Sequence, residues 1–128
     1  MKALILDTSF LVDLENETSA NIDGPATRTL EKLKGCRLFV TPVTVAEILE
    51  GSVDPLTAAR ELSAYRAHTI GWAAAHRCAL NQSRAPRRMG ENDAWQGALA
   101  AIGDHQLVGH DRAFDGRSWL DYLDHRKS

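Results

Sequence analysis

The apolar positions of this chain fall into two patterns. Three runs are short and unbroken: residues 3–6 (ALIL), 37–41 (RLFVT) and 106–109 (QLVG). Continuous rather than alternating hydrophobicity predicts strands buried on both faces. Elsewhere apolar residues recur three and four apart, which predicts helices. The first carries Phe10, Leu11 and Leu14 on one side, with Asp7 or Thr8 as its cap. The next two run from Pro25 to a stop at Gly35 and from Thr41-Pro42 to Gly51. A fourth starts at Asp54-Pro55 and continues to residue 68, and a fifth follows Gly71 to residue 80. The last runs from Asn92, a possible cap, to Gly103. The polar stretches 15–24 and 81–91 predict loops. The tail 117–128 is amphipathic but too short to assign. Buried strands alternating with helices imply an α/β fold: a short, mostly parallel β-sheet flanked by helices. No repeat, low-complexity tract or linker divides residues 1–128, so one domain is expected.

Composition narrows this little. The chain is 44% hydrophobic and 25% charged, as in an ordinary soluble protein. Its net charge of −2 gives no overall basic field, although a local patch can still meet nucleic acid. Cys36 and Cys78 lack metal-like spacing and read as buried or half-buried thiols in a reducing compartment. The N-terminal apolar run is too short for a signal peptide, and Asp7 interrupts it. No stretch approaches the roughly 20 apolar residues of a membrane span. The expectation is a cytoplasmic protein with no membrane association.

The chemistry is in the acids. The strand at 3–6 delivers Asp7, and the strand at 106–109 delivers Asp111 after His110. Glu47 lies about one turn into its helix, and Asp93 stands at the start of another. Strand ends and helix starts share one edge of a parallel sheet, where ligands collect. Four carboxylates could meet there. Two unit charges 4 Å apart repel by about 4 kcal/mol at an effective dielectric near 20, so the set must take up protons or bind a cation. All-oxygen ligands suit Mg²⁺ or Mn²⁺. Such a site can activate water and neutralise a phosphodiester in flight, which makes a metal-dependent phosphodiesterase the candidate. Each acid also has a plainer reading. Asp7 could cap a helix, Thr44 to Glu47 could form a capping box, Asp93 could complement a helix dipole, and Asp111 could be a turn residue.

Taken together, four segments resemble the PIN domain, in particular the VapC-like toxin ribonucleases. They are LILDTSFLVDL, VTPVTVAEILEG, NDAWQGALAA and HQLVGHDRAFDG, in this order, spanning residues 2 to about 116. The resemblance implies that Asp7, Glu47, Asp93 and Asp111 coordinate Mg²⁺ or Mn²⁺ and position a water for attack on an RNA phosphodiester. It makes Ser9 a supporting hydroxyl, with Asp115 as an auxiliary candidate. It also implies a homodimer and a cognate VapB-like antitoxin that blocks the acidic groove. Two positions depart from the family. Gly109 stands where Thr is common, which could loosen support of Asp111 or Asp7. Gly97 interrupts an Ala-rich helix, at about 1 kcal/mol relative to Ala unless something packs closely on it.

Other residues have weaker claims. Arg77, Arg84, Arg87 and Arg88 lie in a stretch without acids, either an RNA-backbone clamp or a solvated loop. Trp72 and Trp95 could stack on a base but read better as core or dimer-interface aromatics. His110 could be a general base, a role that a metal makes unnecessary. Asp13, Glu50, Asp104, Asp121 and Asp124 read as surface acids. Two alternatives compete with the ribonuclease. A catalytically inert PIN-like scaffold would bind RNA or protein but need not retain all four acids. A haloacid-dehalogenase-like phosphatase needs a second Asp where this chain has Ser9, and a Lys before its late acids.

Overall fold

A computed structural model describes residues 2–127. Among them, five strands form one sheet in the order β3-β2-β1-β4-β5, and every pairing is parallel. The strands are β1 (Ala3–Leu6), β2 (Arg37–Val40), β3 (Arg66–Ala67), β4 (Gln106–Gly109) and β5 (Tyr122–Asp124). The helices are α1 (Thr8–Ala20), α2 (Pro25–Lys32), α3 (Pro42–Glu50), α4 (Pro55–Leu62), α5 (Trp72–Arg84) and α6 (Glu91–Ile102). The α/β architecture predicted from the hydrophobic pattern is the one observed.

β1 is central and buried on both faces, which is why its apolar run is continuous. Ile5 and Leu107 face a core built with α5, α6, Phe114 and Leu120. Leu4, Leu6 and Val108 face a second core with Phe10, Leu11, Ala26 and Leu62. β1 pairs with β2 on one side and β4 on the other, so the chain order reverses at the β1–β4 pair. In open parallel sheets, that reversal opens a crevice at the carboxyl ends of the strands. Asp7 and Asp111 stand just beyond those two ends.

Several boundaries differ from the sequence reading. The polar stretch after Leu14 is helical to Ala20, because its work is electrostatic rather than apolar. Glu17 accepts hydrogen bonds from the backbone N–H groups of Ala26 and Thr27, at 2.9 and 2.8 Å, at the start of α2. Asn21 then ends α1 in the left-handed region, φ 54°, with the Ile22 N–H returned to the Glu17 carbonyl. α4 stops at Leu62, and its expected continuation contains the two-residue edge strand β3. α5 runs on to Arg84, into the predicted loop. α6 begins at Glu91, capped by Gly90 rather than by Asn92. The undecided tail supplies β5 and a final 3₁₀ turn, His125–Lys127.

Both cysteines are free thiols, Cys78 buried and Cys36 half-buried. Trp95 packs against the first core, but Trp72 is 83% exposed and belongs to no core of this chain. Among the described residues, no helix is long and apolar enough to cross a membrane.

Candidate active site

Asp7 is the most confined of the four acids, with only 4% of its surface exposed. Both of its carboxylate oxygens are held. Ser9 Oγ donates to Oδ2 at 2.7 Å, and Gln96 Nε2 donates to Oδ1 at 3.2 Å. Ser9 in turn accepts the His110 backbone N–H at 2.8 Å, tying the end of β1 to the end of β4. Burial pushes the Asp7 carboxyl above its ordinary range, against the lowering effect of the Ser9 bonds.

Gln96 is a residue that the sequence reading missed. It is 1% exposed and joins three elements. Its Oε1 accepts from Thr41 Oγ1 at 2.5 Å, and its Nε2 also contacts Thr44 Oγ1. Thr8 Oγ1 reaches both Thr44 Oγ1, at 3.0 Å, and Glu47 Oε1, at 2.8 Å. A buried chain of hydroxyls and one amide therefore links Asp7 to Glu47. Spacing did not single it out: Gln96 follows Asp93 by three residues, as Thr41, Thr44 and Glu47 follow one another, an interval common to any helix face. Thr44 belongs to this network rather than to a capping box. Thr41 caps α3 by accepting the Thr44 N–H.

Asp111 ends the β4 segment. Its Oδ1 accepts the Ala113 N–H at 2.9 Å, and its own N–H donates to Tyr122 Oη at 2.8 Å. Asp93 is treated differently. No hydrogen bond from a described residue satisfies its carboxylate, and its pKa is pushed up to about 6. Desolvation is the largest cause, followed by the like charges of Asp111, Asp7 and Glu47. Asp93 thus feels all three other predicted acids, which places the four in one electrostatic neighbourhood.

The donor set is chemically suited to a hard cation, since it consists of carboxylates with hydroxyls around them. Among the described residues, however, no three His, Cys, Asp or Glu side chains already form a group that could hold a metal ion. Mg²⁺ keeps several waters and uses one or two carboxylates together with substrate phosphate. An unpartnered acid with a raised pKa is what a missing positive charge would correct.

The other predicted residues separate. Asp115 is exposed and is not among the charges acting on Asp93. His110 turns from the acids, with Nδ1 3.0 Å from Asp124 Oδ1. Arg88 pairs with Glu91, while Arg77 and Arg84 line a cleft together with Arg117, which the sequence reading had not singled out. Asp13 and Asp124 are not simple surface acids, with side chains only 17% and 11% exposed. The departure at Gly109 has a steric reason. A Cβ there would meet Asp7 Cβ at 2.8 Å and Ser9 Oγ at 2.9 Å, so glycine lets the two strand ends approach. Ser9 supplies the supporting hydroxyl in this geometry. At Gly97 a Cβ would lie 3.0 Å from the Trp119 ring, which accounts for glycine within the helix.

No family model matches the chain, and no curated protein matches it. Solved structures do. A toxin–antitoxin complex from Klebsiella pneumoniae matches with a TM-score of 0.77 at 20% identity, covering 95% of this chain and 97% of that one. DNA-bound VapBC from Salmonella typhimurium gives 0.76 at 15% identity, covering 98% and 99%. VapBC-1 from nontypeable Haemophilus influenzae gives 0.73 at 19% identity, covering 96% and 98%. The five-stranded parallel sheet, its helices and its full-length superposition on these chains give this protein the PIN-domain fold of the VapBC structures.

Proposed function

We propose that this protein is a Mg²⁺- or Mn²⁺-dependent endoribonuclease acting as the toxin of a VapBC-type pair. The observation that carries the reading is geometric: Ser9 ties Asp7 to the end of β4 that bears Asp111, the Gln96–Thr44–Thr8 chain ties it to Glu47, and Asp93 stands unpartnered within reach of their charges. Asp7, Glu47, Asp93 and Asp111 would hold the ion. Bound there, a divalent cation supplies a nucleophilic water near neutral pH and offsets charge on the phosphodiester.

The chain's own part is positioning. Ser9 and Gln96 fix both oxygens of Asp7, and Thr8 fixes one oxygen of Glu47. The Ala113 N–H holds Asp111. Asp93, free of such restraints, would be the ligand whose charge a bound cation offsets. This division favours a nuclease over an inert scaffold, which has no use for a penalised acid. The phosphatase alternative is disfavoured by Ser9, which sits where that chemistry needs an Asp and is committed to Asp7.

An antitoxin partner is part of the proposal. A groove of about 460 Å³ between α1, α3 and α4 is lined by Leu11, Leu14, Ile48, Val53 and Tyr65. A smaller neighbouring groove of about 240 Å³ shares Leu11 and Ile48 and extends to Thr8 and Glu47. A segment lying along both would reach Glu47. The matched structures are toxin–antitoxin complexes, which supports that pairing. A homodimer and a cytoplasmic location belong to the same reading.

The test is cleavage of single-stranded RNA with Mg²⁺ or Mn²⁺, repeated with excess chelator. Cleavage only with the metal is expected. Cleavage that survives the chelator would refute the metal mechanism, and no cleavage with either ion would favour the scaffold.

A further inference from the structure

A cleft of about 440 Å³ lies between α5 and the 116–119 segment, and none of the four acids lines it. Its charged lining has one sign: Arg77 and Arg84 from α5, and Arg117 from the following wall. Arg117 is anchored by its Nε, which donates to the Ala113 carbonyl at 3.0 Å. Two further donors have no acceptor among the described residues. Asn81 lines the cleft, is 6% exposed, and its Nδ2 is unpartnered; so is the Nε of Arg77. A buried donor without an acceptor is unfavourable. With these donors beside Arg84 and Arg117, the polar lining of the cleft is suited to acceptor oxygens. Guanidinium forks match a phosphate in geometry and charge. Trp119, held on Gly97, adds an aromatic wall on which a base can stack.

The cleft also lies close to the acids along the chain. Gly116 follows Asp111 by five residues, a reach of at most about 18 Å. Arg84 leads through residues 85–90 into the first turn of α6, which carries Asp93. We infer that this cleft binds a phosphate of the RNA strand other than the one cut, and so sets where the strand lies across the acids. The inference rests on the ribonuclease reading, and it names a substrate-binding subsite beyond the metal site. Arg77 and Arg84 act in it with Asn81 and Arg117, whereas Arg87 and Arg88 do not line the cleft.

The test is the fluorescence anisotropy of a labelled single-stranded RNA in chelator, where metal-dependent cleavage cannot run, across a salt series. The proteins are the full chain, the double variant Arg77→Gln/Arg84→Gln, Asn81→Leu, and a control at α2, Arg28→Gln. The double variant should bind at least about 10-fold more weakly, and its slope of log affinity against log salt should fall by about 0.7 for each phosphate no longer neutralised. Asn81→Leu should also weaken binding, and the control should stay within about twofold of wild type. Since Arg84 is exposed, Arg84→Gln alone keeps the test valid if the buried change disturbs folding. Wild-type affinity in the double variant, an equal loss in the control, or no RNA binding by the wild type would overturn the inference. RNA that binds through the cleft but is never cut with Mg²⁺ would remove the nuclease reading and leave the cleft. RNA that the double variant binds and cuts as well as wild type would remove the cleft and leave the nuclease.

Discussion

Asp13 and Asp93 are the same residue type in opposite surroundings. Asp13 lies on α1 under the C-terminal turn. Arg126 grips it through both oxygens, at 2.7 and 2.8 Å, and His125 Nε2 lies 2.7 Å from Oδ2. The Arg126 bond is the chief cause that holds its pKa down at about 2. Asp93 stands at the mouth of the sheet, where desolvation together with three neighbouring carboxylates pushes it to about 6. The first region uses its acid to staple the tail onto α1. The second leaves its acid under repulsion that only a proton or a cation relieves. The contrast separates a carboxylate whose charge is matched by the fold from one whose charge is opposed by its neighbours.

Removing an acid from the second region should have the largest effect. Asp7→Asn should lower RNA cleavage by about 1000-fold or more per folded molecule, a loss beyond any change in melting temperature caused by setting an amide NH₂ against the donors that now bond the carboxylate. Undiminished cleavage by this variant would take Asp7 out of the site. Gln96→Leu should follow, with a loss of about 10- to 100-fold, since it frees Asp7 Oδ1 and the Thr41–Thr44 hydroxyls without removing a ligand. A variant with wild-type activity would make Gln96 a packing residue only.

The next two changes set the regions against each other in stability. The folded pKa of Asp13 is depressed below 3.8, so its stabilising contribution is present above about pH 4 and is lost as pH falls through about 2. Asp13→Asn should therefore destabilise the protein by about 2 kcal/mol at pH 7, read as a lower melting temperature. Cleavage per folded molecule should not change. Asp93 has the opposite sign. Its folded pKa is raised above 3.8, so the folded state holds its proton more tightly and metal-free stability falls as pH rises from about 4 to about 6. Asp93→Asn should raise the metal-free melting temperature at pH 7.5 by a few degrees, after allowance for partial solvent screening, and leave it unchanged near pH 4. Equal shifts at both pH values would mean that its like-charge environment does not act.

The sheet was legible because its central strands are buried on both faces and so read as unbroken apolar runs. Ala3–Leu6 and Gln106–Gly109 match their predicted bounds for that reason. β3 and β5 were not legible. β3 is an exposed two-residue edge, and β5 is half-buried, so neither has a hydrophobic signature. The polar end of α1 was hidden because Glu17 stabilises it by capping α2, an interaction between residues nine and ten positions apart. At the candidate site, the four acids stand out in the sequence by their places at strand ends and helix starts. The Thr41–Gln96–Thr44 network could not, since an amide and hydroxyls look like solvent-facing groups until the fold encloses them. The pairing of Asp13 with Arg126 spans 113 positions and left no local trace.

The central claim is that Asp93 is kept protonatable until a divalent cation replaces its proton. Calorimetric titration of Mg²⁺ or Mn²⁺ into the wild type and Asp93→Asn, near pH 6 in two buffers of different ionisation enthalpy, measures this directly. The account predicts binding by the wild type with release of about half a proton, as expected for a group half-titrated at its pKa. That release should be clearly smaller in Asp93→Asn, any remainder coming from Asp7, whose carboxyl burial also raises. Binding without proton release, or equal release from both proteins, would contradict it.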